Sequence, residues 1–595
     1  MARSRQSLPC TMGSDVRCPL LEHEDAINKV LLGAGLELCE DKRHAGGARL
    51  ALTRISTCNY PLWTQPGDQV KSVAFKLARD LLARHRCFTS LEVYASAYCT
   101  GHVREALGSC RALKSLTVYF PNRNSPQDNN YVDVGKLIDS LASLEELEFK
   151  SESHSPHPTV ELLDGRLLAR ALIDITTLDV RVLKLNPEYA PQFVWALIDN
   201  GTIANLAVGG CVYKADLHGA PGQLFAYYLN KRAATLKKLT LSDDCVCDNR
   251  VLWQTLIAAL CRATTLEELT LEVSIGCEIF TEVTALFAEV VLRCPTLRRL
   301  LLPWPAQPYR AQFLNGSPLP GYNVAQWLEP WTRVLRTTSR LHELGIYLPG
   351  MGEAHCRTLL QDVANNETLK QLLVQEVPLI VSSTGRSDLT FLSRSIQELN
   401  LGDRVCLMNV FVASENALDI CRASAWLSAL KFKNLRFELS AQRNPNLLNA
   451  CCAALSRRGI FTSIQVCCGL TYQPAFDILL QWIAQSSTLT HVEIVTCDPT
   501  RTTSSCGPCT RMYDWVVWAL SKNGNIARIR LVGFTLNSKH LQMLFHCACT
   551  HRNLVGFSLA PPGRDVDTGS SASDAESYLA AMRSLQEIMR KNAAR

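Results

Sequence analysis

The chain has 595 residues, of which 47% are hydrophobic and 19% are charged, and its formal net charge is +6. This composition is typical of a packed globular protein and excludes wholesale disorder. The small net charge gives no reason to expect a nucleic-acid or membrane-surface partner. The sequence contains no apolar run of about 18 residues, so no membrane span is predicted.

Residues 1–69 are predicted to form an N-terminal cap or a short adaptor segment. A short amphipathic helix is predicted near Leu20 to Leu32, followed by the charged stretch Glu40 to Arg43. A cap would cover the first open turn of a repeat array, which such arrays need for solubility. The alternative is an adaptor such as an F-box-like helix pair. The first twenty residues lack the apolar core of a secretory signal, which favours a cytoplasmic location.

The pattern L-x-x-L-x-L dominates the next part of the sequence, and Leu266, Leu269 and Leu271 are a clear copy of it. Its second half alternates apolar and polar residues with period two, as a half-buried strand does. With Val, Ile or Phe allowed at the apolar places, sixteen copies recur about every 30 residues, a period typical of stacked repeats. The copies begin at Phe88, Leu113, Leu144, Val180, Ile203, Leu236, Leu266, Leu297, Leu341, Leu369, Ile396, Phe432, Phe461, Leu489, Ile526 and Leu554.

Residues between the strands carry helical spacing. One set recurs at i, i+3, i+4 and i+7, and the next unit repeats the same face, so each unit is predicted to be a strand followed by a helix. The two sets are Phe476, Leu479, Leu480 and Ile483, and Met512, Trp515, Val516, Ala519 and Leu520.

Over residues 70–560 these units resemble leucine-rich repeats of the ribonuclease-inhibitor-like type. The resemblance implies an α/β solenoid, or horseshoe, of about sixteen turns, with parallel strands on the concave face, helices on the convex face and irregular insertions. It is similar to the repeat region of NOD-like receptors, without their nucleotide-binding module, because no P-loop pattern occurs. The Asn or Cys that such families place three residues after the last leucine is found only at Cys211 and Cys497. Residues 561–595 are predicted to be a linker and a C-terminal helix.

Three sets of residues are candidates for a redox, metal-binding or GTPase-regulating function. Cys506 to Cys509 reads C-G-P-C before a helix, which is the pattern of a redox dithiol. The same pair, with Cys497 upstream and a downstream His/Cys group, is a possible zinc site; that group is His546, Cys547, Cys549 and His551. Arg404 is considered for a GTPase-regulating role, as in the Ran regulator that shares these repeats, but no family motif surrounds it. We therefore predict no catalytic residue, no cofactor and no metal.

The 25 cysteines are an odd number, so at least one thiol is unpaired within the chain. With no secretory signal, most are predicted to be buried free thiols in a reducing compartment. The N-x-[S/T] sites at Asn200, Asn315 and Asn366 are then predicted to stay unmodified.

Places three, five and seven of the pattern are predicted to face the concave side, where acids and bases are nearly equal in number. This balance favours a protein partner over nucleic acid. The aromatic, Pro-rich insertion after Leu302 is a second candidate contact, and the alternative is that it folds back and its rings patch the core between two irregular turns. Pro330 is predicted to begin a second short helix carrying Trp331. The predicted partner-binding residues are Glu268, Glu272, Trp304, Tyr309, Phe313, Glu343, Tyr347, Glu398, Arg528 and Arg530.

The leading hypothesis is a non-catalytic scaffold that binds a protein through this face and the edge loops. The alternatives are a substrate receptor of a ubiquitin ligase and a GTPase-regulating or redox protein. The sequence identifies neither the partner nor the oligomeric state.

Overall fold

A computed structural model describes most of the repeat region. The described residues are 18–41, 49–54, 68–94, 110–120, 144–151, 162–163, 172–305, 324–347, 353–377, 388–412, 431–438, 462–468, 474–496, 510–532, 536–560 and some positions within 581–592, with a few single-residue gaps. The chain is a mixed α/β protein built on mostly parallel strands. It divides into two compact units, residues 1–273 with 293–296, and residues 274–292 with 297–595.

Unit 1 is organised around a sheet in which β1 runs antiparallel to β2 and all later neighbours are parallel. Parallel neighbours need long crossovers, and helices supply them. The strands are β1 (Leu36–Glu40), β2 (Leu50–Arg54), β3 (Phe88–Tyr94), β4 (Ser115–Phe120), β5 (Glu146–Ser151), β6 (Thr177–Asp179), β7 (Asn205–Gly209), β8 (Lys238–Ser242) and β9 (Glu268–Glu272). The helices are α1 (Glu24–Leu31), α2 (Asp68–Arg84), α3 (Ala190–Asp199), α4 (Gln223–Lys231) and α5 (Arg250–Leu260).

The repeat pattern explains the core of this unit. Leu266, Leu269 and Leu271 are at most 1% exposed, whereas Glu268 and Glu272 on the same strand are partly exposed. One face of β9 is therefore buried and the other meets solvent, as the period-two alternation predicts. β4 differs, because Ser115 and Thr117 on its polar face are only 1% exposed. The helices stack in turn, α3 on α4 and α4 on α5.

Unit 2 continues the same plan with parallel neighbours throughout. Its strands are β10 (Arg299–Leu301), β11 (Glu343–Ile346), β12 (Gln371–Val377), β13 (Val405–Val412), β14 (Lys431–Glu438), β15 (Ser463–Cys468), β16 (His491–Thr496), β17 (Arg528–Val532) and β18 (Gly556–Ala560). Its helices are α6 (Cys277–Arg293, whose last residue belongs to unit 1), α7 (Val324–Thr337), α8 (Glu353–Asn365), α9 (Asp388–Glu398), α10 (Pro474–Gln485), α11 (Thr510–Lys522) and α12 (Ser538–His551).

Two predicted repeat starts are wrong. Ile396 lies inside α9 and not before a strand, because Asn400 takes a left-handed conformation (φ 54°) that ends the helix and the true alternation begins at Val405. At Val180 the strand of the main sheet precedes the predicted unit, since β6 ends at Asp179, and the later segment Lys184–Leu185 pairs instead with Leu162–Leu163 in a separate two-stranded sheet. In both places the apolar spacing of a neighbouring element imitated the strand pattern.

The short helix predicted near Leu20 to Leu32 is present, and the choice between a cap and an adaptor stays a prediction. A 3-10 turn (Pro19–His23) and α1 occupy the predicted helix. They are followed by β1 and β2, and β2 joins β3 in parallel. The described part of this region therefore extends the sheet, an arrangement that supports the cap interpretation.

Candidate interaction surface

A row of polar side chains crosses unit 1 on the open face of its strands. In register, Glu146, Thr177, Asn205, Lys238 and Glu268 stand side by side on five neighbouring strands. All five are partly or largely exposed, whereas the leucines next to them are buried. The register thus turns a repeated sequence place into one continuous strip of polar groups.

Neighbours within this row are paired. Lys238 Nζ lies 2.7 Å from Glu268 Oε1, and Asn205 Nδ2 donates to Thr177 Oγ1 at 3.0 Å. The Lys238 side chain is 51% exposed and that of Glu268 is 30% exposed, so solvent screens the ion pair and a partner's side chains can reach it. The row offers charged groups of both signs, the carboxylates of Glu146 and Glu268 and the ammonium of Lys238, together with the neutral polar groups of Thr177 and Asn205.

Arg181 forms the most strongly held charge cluster of this surface. Its guanidinium donates to Asp179 at 2.8–3.2 Å and to Glu272 Oε2 at 2.7 Å. Burial alone would lower its pKa, but the hydrogen bonds and charges of Asp179 and Glu272 outweigh burial and raise it. Glu272 is therefore fixed at the end of β9 by a residue that follows β6.

Asp243, after β8, gathers a second cluster. It accepts a hydrogen bond from Tyr213 Oη at 2.9 Å and pairs with Lys214. Burial first, and then the negative charge of Asp243, raise the pKa of Tyr213 well above its usual value, so this hydroxyl stays protonated. A Cβ at Gly210 would meet the Asp243 carboxylate at 2.6 Å, which explains the glycine there. This cluster is structural in character.

Unit 2 carries a similar strip on its last described strands. Gln465, Glu493 and Arg530 stand in register, and Arg530 Nε lies 3.6 Å from Glu493 Oε1. Farther back, Arg299 Nε donates to Glu343 Oε1 at 2.9 Å between β10 and β11. Arg528 is exposed, so this end of the strip presents positive charge.

Five of the ten proposed partner-binding residues lie on strands of the main sheet. These residues lie on strands with partly or largely exposed side chains, and their role in binding stays a prediction. They are Glu268, Glu272, Glu343, Arg528 and Arg530.

Two other proposed positions are wrong. Glu398 is the last residue of α9, where its carboxylate lies 3.4 Å from Arg357 on α8, so it is not on a strand. Tyr347 is only 2% exposed because its ring packs edge-on against Phe280, with the centroids 6.2 Å apart. The seventh position of the repeat pattern that begins at Leu341 is therefore buried in the core and does not face solvent.

In the described part of the aromatic insertion the tryptophans pack into the core, and the predicted helix start at Pro330 is wrong. Trp327 and Trp331 are buried on a single helix, α7, which contains Pro330 and does not restart there. The backbone of Trp304 forms a short parallel pair with Ser274–Ile275. The side chain of Trp304, and Tyr309 and Phe313 entirely, lie outside the described residues.

Sequence reasoning missed an exposed aromatic pair on the helices of unit 1. Trp195 on α3 is 42% exposed and Tyr227 on α4 is 47% exposed, with ring centroids 6.0 Å apart. Large exposed aromatic side chains held on rigid helices are frequent anchors of protein interfaces. The sequence signal that could have found them is their position outside the buried stripe of each helix. That stripe includes Phe193 and Val194 on α3, and Phe225 and Tyr228 on α4.

Arg404 donates hydrogen bonds to backbone carbonyls of its own chain, and this disfavours the GTPase-regulating role. Its guanidinium donates to the carbonyl of Leu369 at 2.6 and 3.0 Å, to that of Ala364 at 3.3 Å, and to that of Asn366. Desolvation lowers its pKa. An arginine bound to three carbonyls of its own chain is not presented to a partner.

The candidate zinc and dithiol groups considered from the sequence are not assembled among the described residues. Cys497 and Cys506 to Cys509 lie outside them. On α12, Cys547 is buried while His546 and Cys549 point to solvent. The described residues bring together one possible metal-ligand set, at Cys18, His85 and Cys87, which the sequence did not suggest because 67 residues separate the first two.

Comparison with known proteins identifies no family. No family model matches the chain, and a search of curated proteins finds no match. Among solved structures, concanavalin B aligns at 12% identity over 39% of this chain and 94% of its own, with a TM-score of 0.18. A likeness this weak carries no argument about fold or function. Within the described residues, no helix is both long enough and apolar enough to cross a bilayer.

Proposed function

We propose that the chain is a leucine-rich repeat solenoid that acts as a non-catalytic scaffold and binds a protein through the polar face of its strands. The observation that supports it is the register of unit 1, which aligns polar places of successive repeats into one strip (Glu146 to Glu268). The strip crosses five neighbouring strands and carries charges of both signs. A protein surface of mixed polarity complements such a strip better than a polyanion does.

The energetics of the strip favour specificity over raw affinity. Exposed ion pairs such as Lys238–Glu268 contribute about 0–1 kcal/mol each, so the chain loses little when a partner rearranges them. A like charge placed opposite them by a wrong partner is repelled. The exposed rings of Trp195 and Tyr227 offer a second, apolar contact on the helices.

The test is capture of partners from native extract by the full chain, compared with its Glu268→Lys variant by quantitative mass spectrometry. We expect genuine partners to be depleted at least ~10-fold by the variant, equivalent to about 1.4 kcal/mol of binding free energy. Asp199→Lys is the matched control, because it makes the same charge change at an exposed position on α3.

A double variant separates presented charge from the internal ion pair. Lys238→Glu with Glu268→Lys restores an opposite pair while inverting its direction. If the same proteins stay depleted, the partner recognises which of the two positions, 238 or 268, carries the positive charge. Equal capture by the wild type, Glu268→Lys and Asp199→Lys would contradict binding through the strand face. Depletion only by Trp195→Ala with Tyr227→Ala would move the interface to the helices.

A further inference from the structure

Two thiols and an imidazole meet in the interior near the start of unit 1. Cys18, His85 and Cys87 are 2%, 5% and 7% exposed, and one possible ligand atom of each lies within 4.8 Å of the other two. The sulfurs of Cys18 and Cys87 are 3.6 Å apart. This spacing matches that between ligand atoms around one tetrahedral metal ion.

The backbone around each of these residues is held in place. The Cys18 carbonyl accepts from Leu21 N at 3.0 Å at the entry to the 3-10 turn. His85 follows α2 and its N–H donates to Leu81 O at 2.9 Å, while the Cys87 carbonyl accepts from Leu50 N of β2 at 2.9 Å. A turn, a helix end and a strand start thus present the three side chains to one point.

A second observation points to a ligand at that point. The Nδ1 atom of His85 is buried and has no hydrogen-bond partner. Buried polar atoms are nearly always satisfied, so an unpaired nitrogen on an imidazole ring that also approaches two thiols needs an explanation. A neutral imidazole nitrogen and thiolate sulfurs are the donors that zinc selects.

We propose that Cys18, His85 and Cys87 bind one zinc ion. The two thiols each release a proton to solvent and become thiolates, so the ion and its ligands together carry no net charge. A neutral cluster avoids the large cost of burying an isolated ion. A water molecule takes the fourth position. The ion joins residue 18 to residues 85–87 and so ties the N-terminal turn to the first parallel strands.

A disulfide between Cys18 and Cys87 is the rival arrangement. It requires the sulfurs to approach to about 2.05 Å and an oxidant to remove two electrons. It would also leave Nδ1 of His85 without a partner. The thiol pair as it stands is reduced, and its spacing suits a bridging metal better than an S–S bond.

The experiment uses the full chain, purified under reducing conditions, stripped of metal, and titrated with Zn²⁺ and separately with Co²⁺. We expect one tightly bound equivalent and a cobalt spectrum showing thiolate-to-metal charge transfer. Cys18→Ser and His85→Ala should each weaken binding by more than ~100-fold, beyond the usual effect of changes outside the ligand shell. Cys294→Ser is the control, because that thiol is equally buried but hydrogen-bonded to Ala263 O at 2.9 Å.

X-ray absorption of the zinc-loaded wild type keeps the test independent of variant folding, and two sulfur and one imidazole ligands are expected. Unchanged zinc affinity in Cys18→Ser and His85→Ala would overturn the proposal. So would an absorption spectrum without sulfur ligands, or recovery of Cys18 and Cys87 as a disulfide from freshly isolated protein.

Discussion

At the scale of single residues, buried asparagines link successive turns. Asn366 is 6% exposed; its Nδ2 donates to Leu335 O at 2.6 Å and Thr338 O at 3.1 Å, and its Oδ1 accepts from Leu369 N at 2.8 Å. Asn200 and Asn523 make equivalent bonds. Two predicted glycosylation motifs, at Asn200 and Asn366, are therefore parts of the repeat.

We predict that Asn366→Ala lowers the free energy of unfolding by about 1–3 kcal/mol, because it leaves buried carbonyl and N–H groups unsatisfied. Urea denaturation measures the loss. Asn365→Ala is the matched control, since that side chain is exposed, and a change of only about 0.5 kcal/mol is expected there. Equal effects of the two changes would refute the proposed bridging role.

Leu269 and Glu268 test the assignment of strand faces. Leu269→Ala should destabilise the protein by about 2–5 kcal/mol, because the leucine is fully buried and its removal leaves a cavity. Glu268→Ala removes a solvent-screened pair with Lys238 at a partly exposed position and should cost less than about 1 kcal/mol. Thermal or urea unfolding of both variants tests this assignment. Similar losses of unfolding free energy in the two variants would mean that the strand faces are inverted.

Cys547 and Cys549 should differ in reactivity although they share one helix. Desolvation raises the pKa of Cys547 to about 11, so almost no thiolate is present at neutral pH, whereas Cys549 is exposed. Iodoacetamide applied to the native protein, followed by peptide mass spectrometry, should modify Cys549 first. Raising the pH toward 11 should increase labelling of Cys547, because its thiolate fraction then rises. Early labelling of Cys547 at neutral pH would contradict this environment.

At the scale of elements, the sequence identified most strands because the buried places repeat with a fixed spacing. It failed where two elements share that spacing, as at Ile396, whose helix and following segment imitate L-x-x-L-x-L. The linking asparagines Asn200, Asn366 and Asn523 stand before the strand, a place that the repeat pattern did not single out. Contacts between distant segments, such as Cys18 with Cys87, leave no local pattern and could not be predicted.

Helix faces give the clearest element-scale prediction. Trp331→Ala on α7 should cost about 3–5 kcal/mol, because its ring is fully buried. Trp195→Ala on α3 should cost far less, since 42% of that residue is exposed. Melting temperatures of the two variants provide the comparison. A larger loss at Trp195 would show that its ring is covered in the folded protein and is not available to a partner.

At the scale of the whole molecule, the described cysteines show how the chain is stabilised. Those that the structure describes are free thiols, from the buried Cys18 and Cys294 to the exposed Cys245. Most sit where a small apolar side chain or a weak S–H donor suits the packing, as Cys211 does in donating to Leu183 O at 3.2 Å. In this part of the chain the repeats are joined by packing and hydrogen bonds between turns.

Denaturing the freshly isolated protein in the presence of an alkylating agent and a metal chelator should therefore modify a large majority of its 25 cysteines. Intact mass counts the added groups, and a parallel sample reduced beforehand gives the maximum. The chelator matters because zinc-bound thiolates react slowly until the metal is removed. Agreement between the two samples is expected for a chain kept in a reducing compartment. Many unmodified pairs in the unreduced sample would instead place the protein in an oxidising compartment, where Asn315 would become a candidate for glycosylation while the buried Asn200 and Asn366 would stay inaccessible.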